Sequence, residues 1–113
     1  MDRTREEKMA IANEILKQLG GHKFVVMTGA KDILALDSGL RFRLPGGGGH
    51  AKNGINQVRI ELTPTDTYEI YFQKVRKDKV WTSLTETISK HANIYDDQLQ
   101  NIFTAETGLE THL

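Results

Sequence analysis

Two alternating runs, Val58-Arg59-Ile60-Glu61-Leu62 and Tyr68-Glu69-Ile70-Tyr71-Phe72, flank Thr63-Pro64-Thr65-Asp66-Thr67 and constrain this chain more than any other feature. Successive strand side chains point to opposite faces, so each run separates into one apolar and one largely polar edge. Pro64 suits the second position of a type I turn, which makes Ile55 to Val75 a hairpin. Loop length then sets the register. A four-residue loop would set Ile60 opposite Glu69, whereas five residues align Leu62 with Tyr68, Ile60 with Ile70 and Val58 with Phe72. A slip of one residue would turn the apolar set to the wrong face, so the five-residue register is expected. It leaves Gln57, Arg59, Glu61, Glu69, Tyr71 and Gln73 on the reverse side.

Upstream, Thr4 and Glu7 have capping-box spacing, and Ile11, Ile15 and Leu19 with Ala12 and Leu16 form a helical stripe that Gly20-Gly21 ends. Lys23 to Thr28 reads as a short central strand, with Phe24 and Val26 pointing one way and Val25 and Met27 the other. Gly29 to Asp32 is a turn. Ile33 to Leu44 reads as a hairpin around Asp37-Ser38-Gly39, a three-residue loop with Gly39 left-handed. That loop pairs Leu36 with Leu40 and Leu34 with Phe42, and puts Ala35 beside Arg41 and Ile33 beside Arg43.

Pro45 stops this hairpin, and Gly46 to Gly54 is too rich in glycine for a regular element, so a mobile loop is expected. Arg76-Lys77-Asp78-Lys79 makes a charged turn, and the threonine- and β-branched-rich Val80 to Ile88 reads as a strand. A closing helix runs from about Asp96 to Thr107, with Tyr95, Leu99, Ile102 and Phe103 on its buried side, Gly108 at its end and frayed residues beyond. At 113 residues there is room for one core, not two. The expectation is a single α+β domain over residues 1–113: a five- or six-stranded, mostly antiparallel sheet with an N-terminal and a C-terminal helix sharing one face.

The chain has no cysteine, which excludes a disulfide framework and thiolate chemistry and fits a reducing cytoplasm. Met1 to Lys8 lack the apolar run of a signal peptide, and no stretch approaches the ~18 apolar residues of a membrane span. The expectation is therefore a cytoplasmic protein with no membrane partner. Fifteen basic residues balance fifteen acidic ones, which argues against a wholesale polyanion binder. The charge is nonetheless segregated. Arg41 to Lys79 holds eight basic and four acidic residues, whereas Trp81 to Leu113 holds five acidic residues and Lys90.

No motif names a reaction. Gly49-His50-Ala51-Lys52-Asn53 lacks the serine or threonine, and the following helix, that a phosphate cradle needs. His22, His50, His91 and His112 are too far apart in sequence to suggest a metal site. Ser38, Ser83 and Ser89 sit in no nucleophile elbow, and Asp96 and Asp97 suit a helix start. No catalytic residue, metal ligand or cofactor is assigned, and the chain reads as non-enzymatic. What remains is the reverse face of the sheet, where Arg41, Arg43, Arg59 and Tyr71 are expected to mix with Ile33 and Ala35. Arginine, tyrosine and aliphatic groups are the composition of protein interfaces.

Gly20-Gly21, Phe24, Met27-Thr28-Gly29-Ala30-Lys31 and Gly39-Leu40-Arg41-Phe42-Arg43-Leu44-Pro45 resemble a group of small uncharacterised proteins encoded by tailed bacteriophages and mobile elements. Tyr68, Phe72, Tyr95, Leu99 and Gly108-Leu109 fit the same pattern, which runs from about Ile15 to Leu109 and leaves the Gly46 to Gly49 run unplaced. These are turn and core residues and bring no catalytic assignment. The resemblance implies a phage accessory or counter-defence protein that occupies the surface of a host or phage protein. The expected partner-binding residues are Arg41, Arg43, Arg59 and Tyr71. One alternative is single-stranded nucleic acid on the same face, with Tyr71 and Trp81 as stacking surfaces and Lys52, Lys74, Arg76, Lys77 and Lys79 around them. A small-molecule or nucleotide ligand is another alternative, and the face would also serve a homodimer.

Overall fold

The computed structural model describes residues 4–45, 52–77 and 83–109. Its elements in chain order are α1 (Arg5–Leu19), α2 (His22–Thr28), β1 (Lys31–Ala35), β2 (Gly39–Arg43), β3 (Gln57–Leu62), β4 (Tyr68–Lys77), β5 (Ser83–Ile94) and α3 (Leu99–Thr107). Short 3-10 turns lie at Lys52–Gly54 and Asp96–Gln98. The five strands form one antiparallel meander in the order β1-β2-β3-β4-β5. The expected α+β architecture is therefore present, with five strands.

Helix α1 opens on the expected capping box: Thr4 Oγ1 accepts from the Glu7 N–H at 3.2 Å while the Glu7 carboxylate accepts from Thr4. Its Ala12, Ile15 and Leu19 are buried. The segment after it corrects the sequence expectation, because Lys23 to Thr28 belongs to a helix and not to a central strand. Burial here follows i, i+4 spacing. Phe24 and Thr28 are buried, while Val26, which a strand would put on the same side as Phe24, is 65% exposed. Thr28 Oγ1 donates to the Phe24 carbonyl at 2.7 Å, and left-handed Gly29 closes the helix by donating to Val25. The β-branched pair Val25-Val26 costs a helix a few tenths of a kcal/mol per residue, against about 2–3 kcal/mol from burying one phenylalanine. Burial decides.

Phe24 meets Phe42 of β2 edge-on at 5.3 Å and Phe103 of α3 at 5.0 Å between ring centroids. This three-ring cluster joins a helix, the sheet and the closing helix. All three helices contribute buried residues to a single core with Leu40, Phe42, Val58, Ile60, Ile70 and Phe72, so they lie on one face of the sheet. Within the closing helix Leu99 and Phe103 are buried and Ile102 is half-buried, but Tyr95 is 60% exposed, against expectation. Tyr95 precedes the helical turn, where its N–H donates to Gln98 Oε1.

The β3–β4 hairpin has the five-residue loop and the pairing Leu62–Tyr68, Ile60–Ile70, Val58–Phe72. The β1–β2 hairpin is shifted by one residue from the expected register, pairing Ala35 with Leu40 and Leu34 with Arg41. The Leu36 N–H donates to the Gly39 carbonyl, so only Asp37 and Ser38 span the loop. Gly39 belongs to β2, and its importance is not a left-handed φ: a Cβ there would collide with the Ile60 carbonyl and approach the Glu61 backbone. The slip turns Ala35 toward the core side with Leu40 and brings Leu34 beside Arg41. Neither Ala35 nor Ile33 accompanies the arginines as expected. An irregularity between Lys31 and Leu34, with Asp32 at φ 52°, then sets Lys31 opposite Arg43.

Strand β5 (Ser83–Ile94) continues past the expected Ile88, with two register irregularities and Asn93 at φ 57°. Beyond β3, Lys74 to Lys77 of β4 pair, among the described residues, only with Ser83 to Glu86 of β5, as a two-stranded extension. Asn56 anchors its base, donating to the Val75 carbonyl at 2.9 Å and accepting from the Val75 N–H at 2.7 Å through its side-chain amide. Of the expected Gly46 to Gly54 loop, Lys52–Gly54 forms a 3-10 turn, and Arg76 and Lys77 of the expected charged turn belong to β4. Gly46 to Ala51, Asp78-Lys79, Val80 to Thr82 including Trp81, and the expected frayed end from Glu110 lie outside the described residues.

Candidate functional site

An antiparallel register cut across its strands gives rows of side chains on each face. On the face opposite the helices one row runs Leu34, Arg41, Arg59, Tyr71, Lys90 across all five strands. On one side of it lie Glu61 and Glu69, opposite each other; on the other lie Lys31, Arg43, Gln57, Gln73 and Thr87. All four residues singled out from sequence, Arg41, Arg43, Arg59 and Tyr71, are thus on one face, and the first, third and fourth share a row.

The middle of this face is a closed network. The Arg59 guanidinium lies 4.0 Å from the Tyr71 ring centroid, and its Nη1 is 3.0 Å from Glu61 Oε2. The Tyr71 hydroxyl donates to Glu69 Oε2 at 2.8 Å, Lys90 Nζ is 3.1 Å from the same oxygen, and Lys90 also lies 5.1 Å from the ring centroid. The hydrogen bond from Tyr71, with a smaller contribution from Lys90, holds the Glu69 carboxyl below the usual carboxylate range. The bond to Glu69 in turn raises the Lys90 ammonium. Below this network Gln57 Nε2 donates to Gln73 Oε1 at 2.8 Å, and Gln73 reaches Thr87.

Charge placement on β1, β2 and β3 differs. Arg41 stands opposite Arg59, and Lys31 opposite Arg43. Like charges directly across a strand pair are destabilising. Arg59 is relieved by Glu61; among the described residues Arg41, Arg43 and Lys31 have no ion-pair partner within 4 Å. Lys31 was not legible as a member of this face, because its position depends on the Asp32 irregularity.

Lys52, His91, Asp96 and Asp97 each make contacts within the fold. Lys52 Nζ is 3.4 Å from the Ala105 carbonyl near the end of α3, where a cation complements the helix dipole. His91 Nε2 and Glu106 Oε1 lie 2.7 Å apart and tie β5 to α3. Asp96 accepts from the Asp97 N–H at the start of the 3-10 turn. Among the described residues no group of three histidine or acidic side chains could hold a metal, and no helix is long and apolar enough to cross a membrane. Sequence reasoning missed one feature altogether: a groove between α1 and the edge strand β1, floored by Ala12, Leu16 and Leu40 and rimmed by Arg5 and Lys8.

No protein-family model, curated protein or solved structure matches the chain.

Proposed function

We propose that this protein is a non-enzymatic binding module that presents the uncovered face of its sheet to an acidic surface on a protein partner. The like-charge placement of Arg41 against Arg59 and Lys31 against Arg43 carries the reading. A sheet gains by setting opposite charges across a strand pair, and locally unfavourable choices concentrate where function demands them. Partner carboxylates would relieve both pairs. The Glu61, Tyr71, Glu69 and Lys90 network holds the neighbouring side chains in place, which lowers the ordering cost of association. The resemblance to small phage proteins supplies the context: an accessory or counter-defence role, with a host protein in the cytoplasm as partner.

Single-stranded nucleic acid fits this face less well, because Tyr71 already has Arg59 against its ring and its hydroxyl bound to Glu69. A base would have to displace both cation and hydrogen bond to stack there. Capture from nuclease-treated host lysate separates the readings. One host protein should be retained at moderate salt and lost with the Arg41→Glu/Arg43→Glu variant, whose fold is checked by its unfolding midpoint. Retention by the folded double variant, or recovery of nucleic acid alone from untreated lysate, overturns the proposal.

A further inference from the structure

We propose that the groove between α1 and β1 binds a short extended peptide that combines aliphatic side chains with a carboxylate, adding a strand to the open edge of β1. Three observations converge there. The groove encloses about 360 Å³, and Met9 and Ile33 on its walls are 45% and 40% exposed. That volume is near the lower end of the roughly 300–1,000 Å³ of ligand clefts and suits a few side chains.

The second observation is the edge itself. Strand β1 pairs with β2 on one side and, among the described residues, with nothing on the other. Antiparallel pairing alternates inward and outward backbone groups, and the Leu36 N–H to Gly39 carbonyl bond fixes the phase. The N–H and carbonyl of Ala35 therefore point away from β2, toward an added strand, while its side chain lines the groove. The irregularity between Lys31 and Leu34 limits the regular edge to a few residues. A bulge of this kind blunts open-ended sheet growth, so the edge accepts a short segment better than a long strand.

The third observation is charge. The ionisable side chains lining the groove are Arg5 and Lys8, both cationic. Lys8 reaches Asp37 at 3.4 Å, and Arg5 has no ion-pair partner among the described residues. A second copy paired through β1 would bring another Arg5–Lys8 rim against the first. An acidic peptide brings the complementary sign, and its alternating side chains would place an aliphatic group in the groove and a carboxylate at the rim.

Selection from a displayed library of random octapeptides provides the test. Enriched sequences should alternate aliphatic with acidic residues, and amide shifts on binding should concentrate in Ile33 to Ala35 and in the groove side of α1. Replacing the peptide's acidic residues by their amides, or making the Arg5→Glu/Lys8→Glu variant, should weaken binding at least tenfold. The Arg41→Glu/Arg43→Glu variant should leave it within about twofold, which separates this site from the sheet face. Failure to enrich any peptide, a neutral or basic consensus, or shifts confined to the opposite sheet face would overturn the proposal. So would dodecanoate occupying the groove in preference to the selected peptides, or concentration-dependent dimerisation of the free chain through β1.

Discussion

Replacing Val26 by alanine separates a helical from a strand-like Lys23 to Thr28 segment by the sign of its effect. Val26 is 65% exposed on α2, so truncation removes few contacts and substitutes the better helix former. The expected change is a gain of about 0.3–0.5 kcal/mol. In a central strand with both sides packed, the same deletion of two methyl groups would cost about 1.5–3 kcal/mol. Phe24→Ala serves as the internal reference. Its side chain is fully buried between Phe42 and Phe103, and large-to-small changes at such sites cost about 3–5 kcal/mol. Urea denaturation followed by circular dichroism measures both. At an m-value of about 1.5 kcal/mol/M, Phe24→Ala should lower the midpoint by about 2–3 M, and Val26→Ala should raise it by about 0.2–0.3 M. A fall of more than about 0.7 M for Val26→Ala refutes the helix and, with it, the argument that burial of Phe24 overrides the local preference.

Glu69 has its carboxyl depressed by the Tyr71 hydrogen bond, so its contribution to stability is complete above the ordinary value of 4.5 and is lost as pH falls through the folded value. The stability difference between the native chain and Tyr71→Phe should therefore shrink between pH 7 and pH 3 in denaturation experiments. Lys90, raised by Glu69, contributes fully below its ordinary value of 10.5 and loses that contribution as pH climbs through the folded value; Glu69→Gln should flatten that alkaline limb. Asn56→Ala strands the N–H and carbonyl of Val75 and should cost about 1–3 kcal/mol, with faster amide exchange at Val75. Gly39→Ala drives a Cβ into the Ile60 carbonyl and should destabilise by about 1–3 kcal/mol in the same urea assay.

The two hairpins show how far local pattern reaches. Between β3 and β4 both flanking runs alternate, the loop carries Pro64, and one register alone buries both apolar edges; the paired residues match the expectation throughout. Between β1 and β2 the flanking run Ile33-Leu34-Ala35-Leu36 is apolar on both sides, so periodicity does not choose a register. There the close approach of Gly39 to β3 and the Leu62 N–H to Ser38 carbonyl bond accompany the one-residue slip. The candidate site divides along the same line. Arg41, Arg43, Arg59 and Tyr71 fall on one face by alternation alone, but Lys31 and Lys90 join it through irregularities in β1 and β5. The groove along α1 is formed by residues distant in sequence and has no local signature.

By itself the sequence determined the features whose physics is local: the Thr4–Glu7 cap, the left-handed glycine stops, the five-residue loop and the alternation that segregates a polar from an apolar sheet face. These depend on neighbours within a few residues, whose preferences survive in any surroundings. Tertiary structure decided that Phe24 rides on a helix, that Leu34 and Ala35 exchange sides, and that like charges meet across β1, β2 and β3. Each of these outcomes turns on contacts between residues far apart in the chain, where the burial of one large side chain, or one backbone approaching another, outweighs a few tenths of a kcal/mol of local preference.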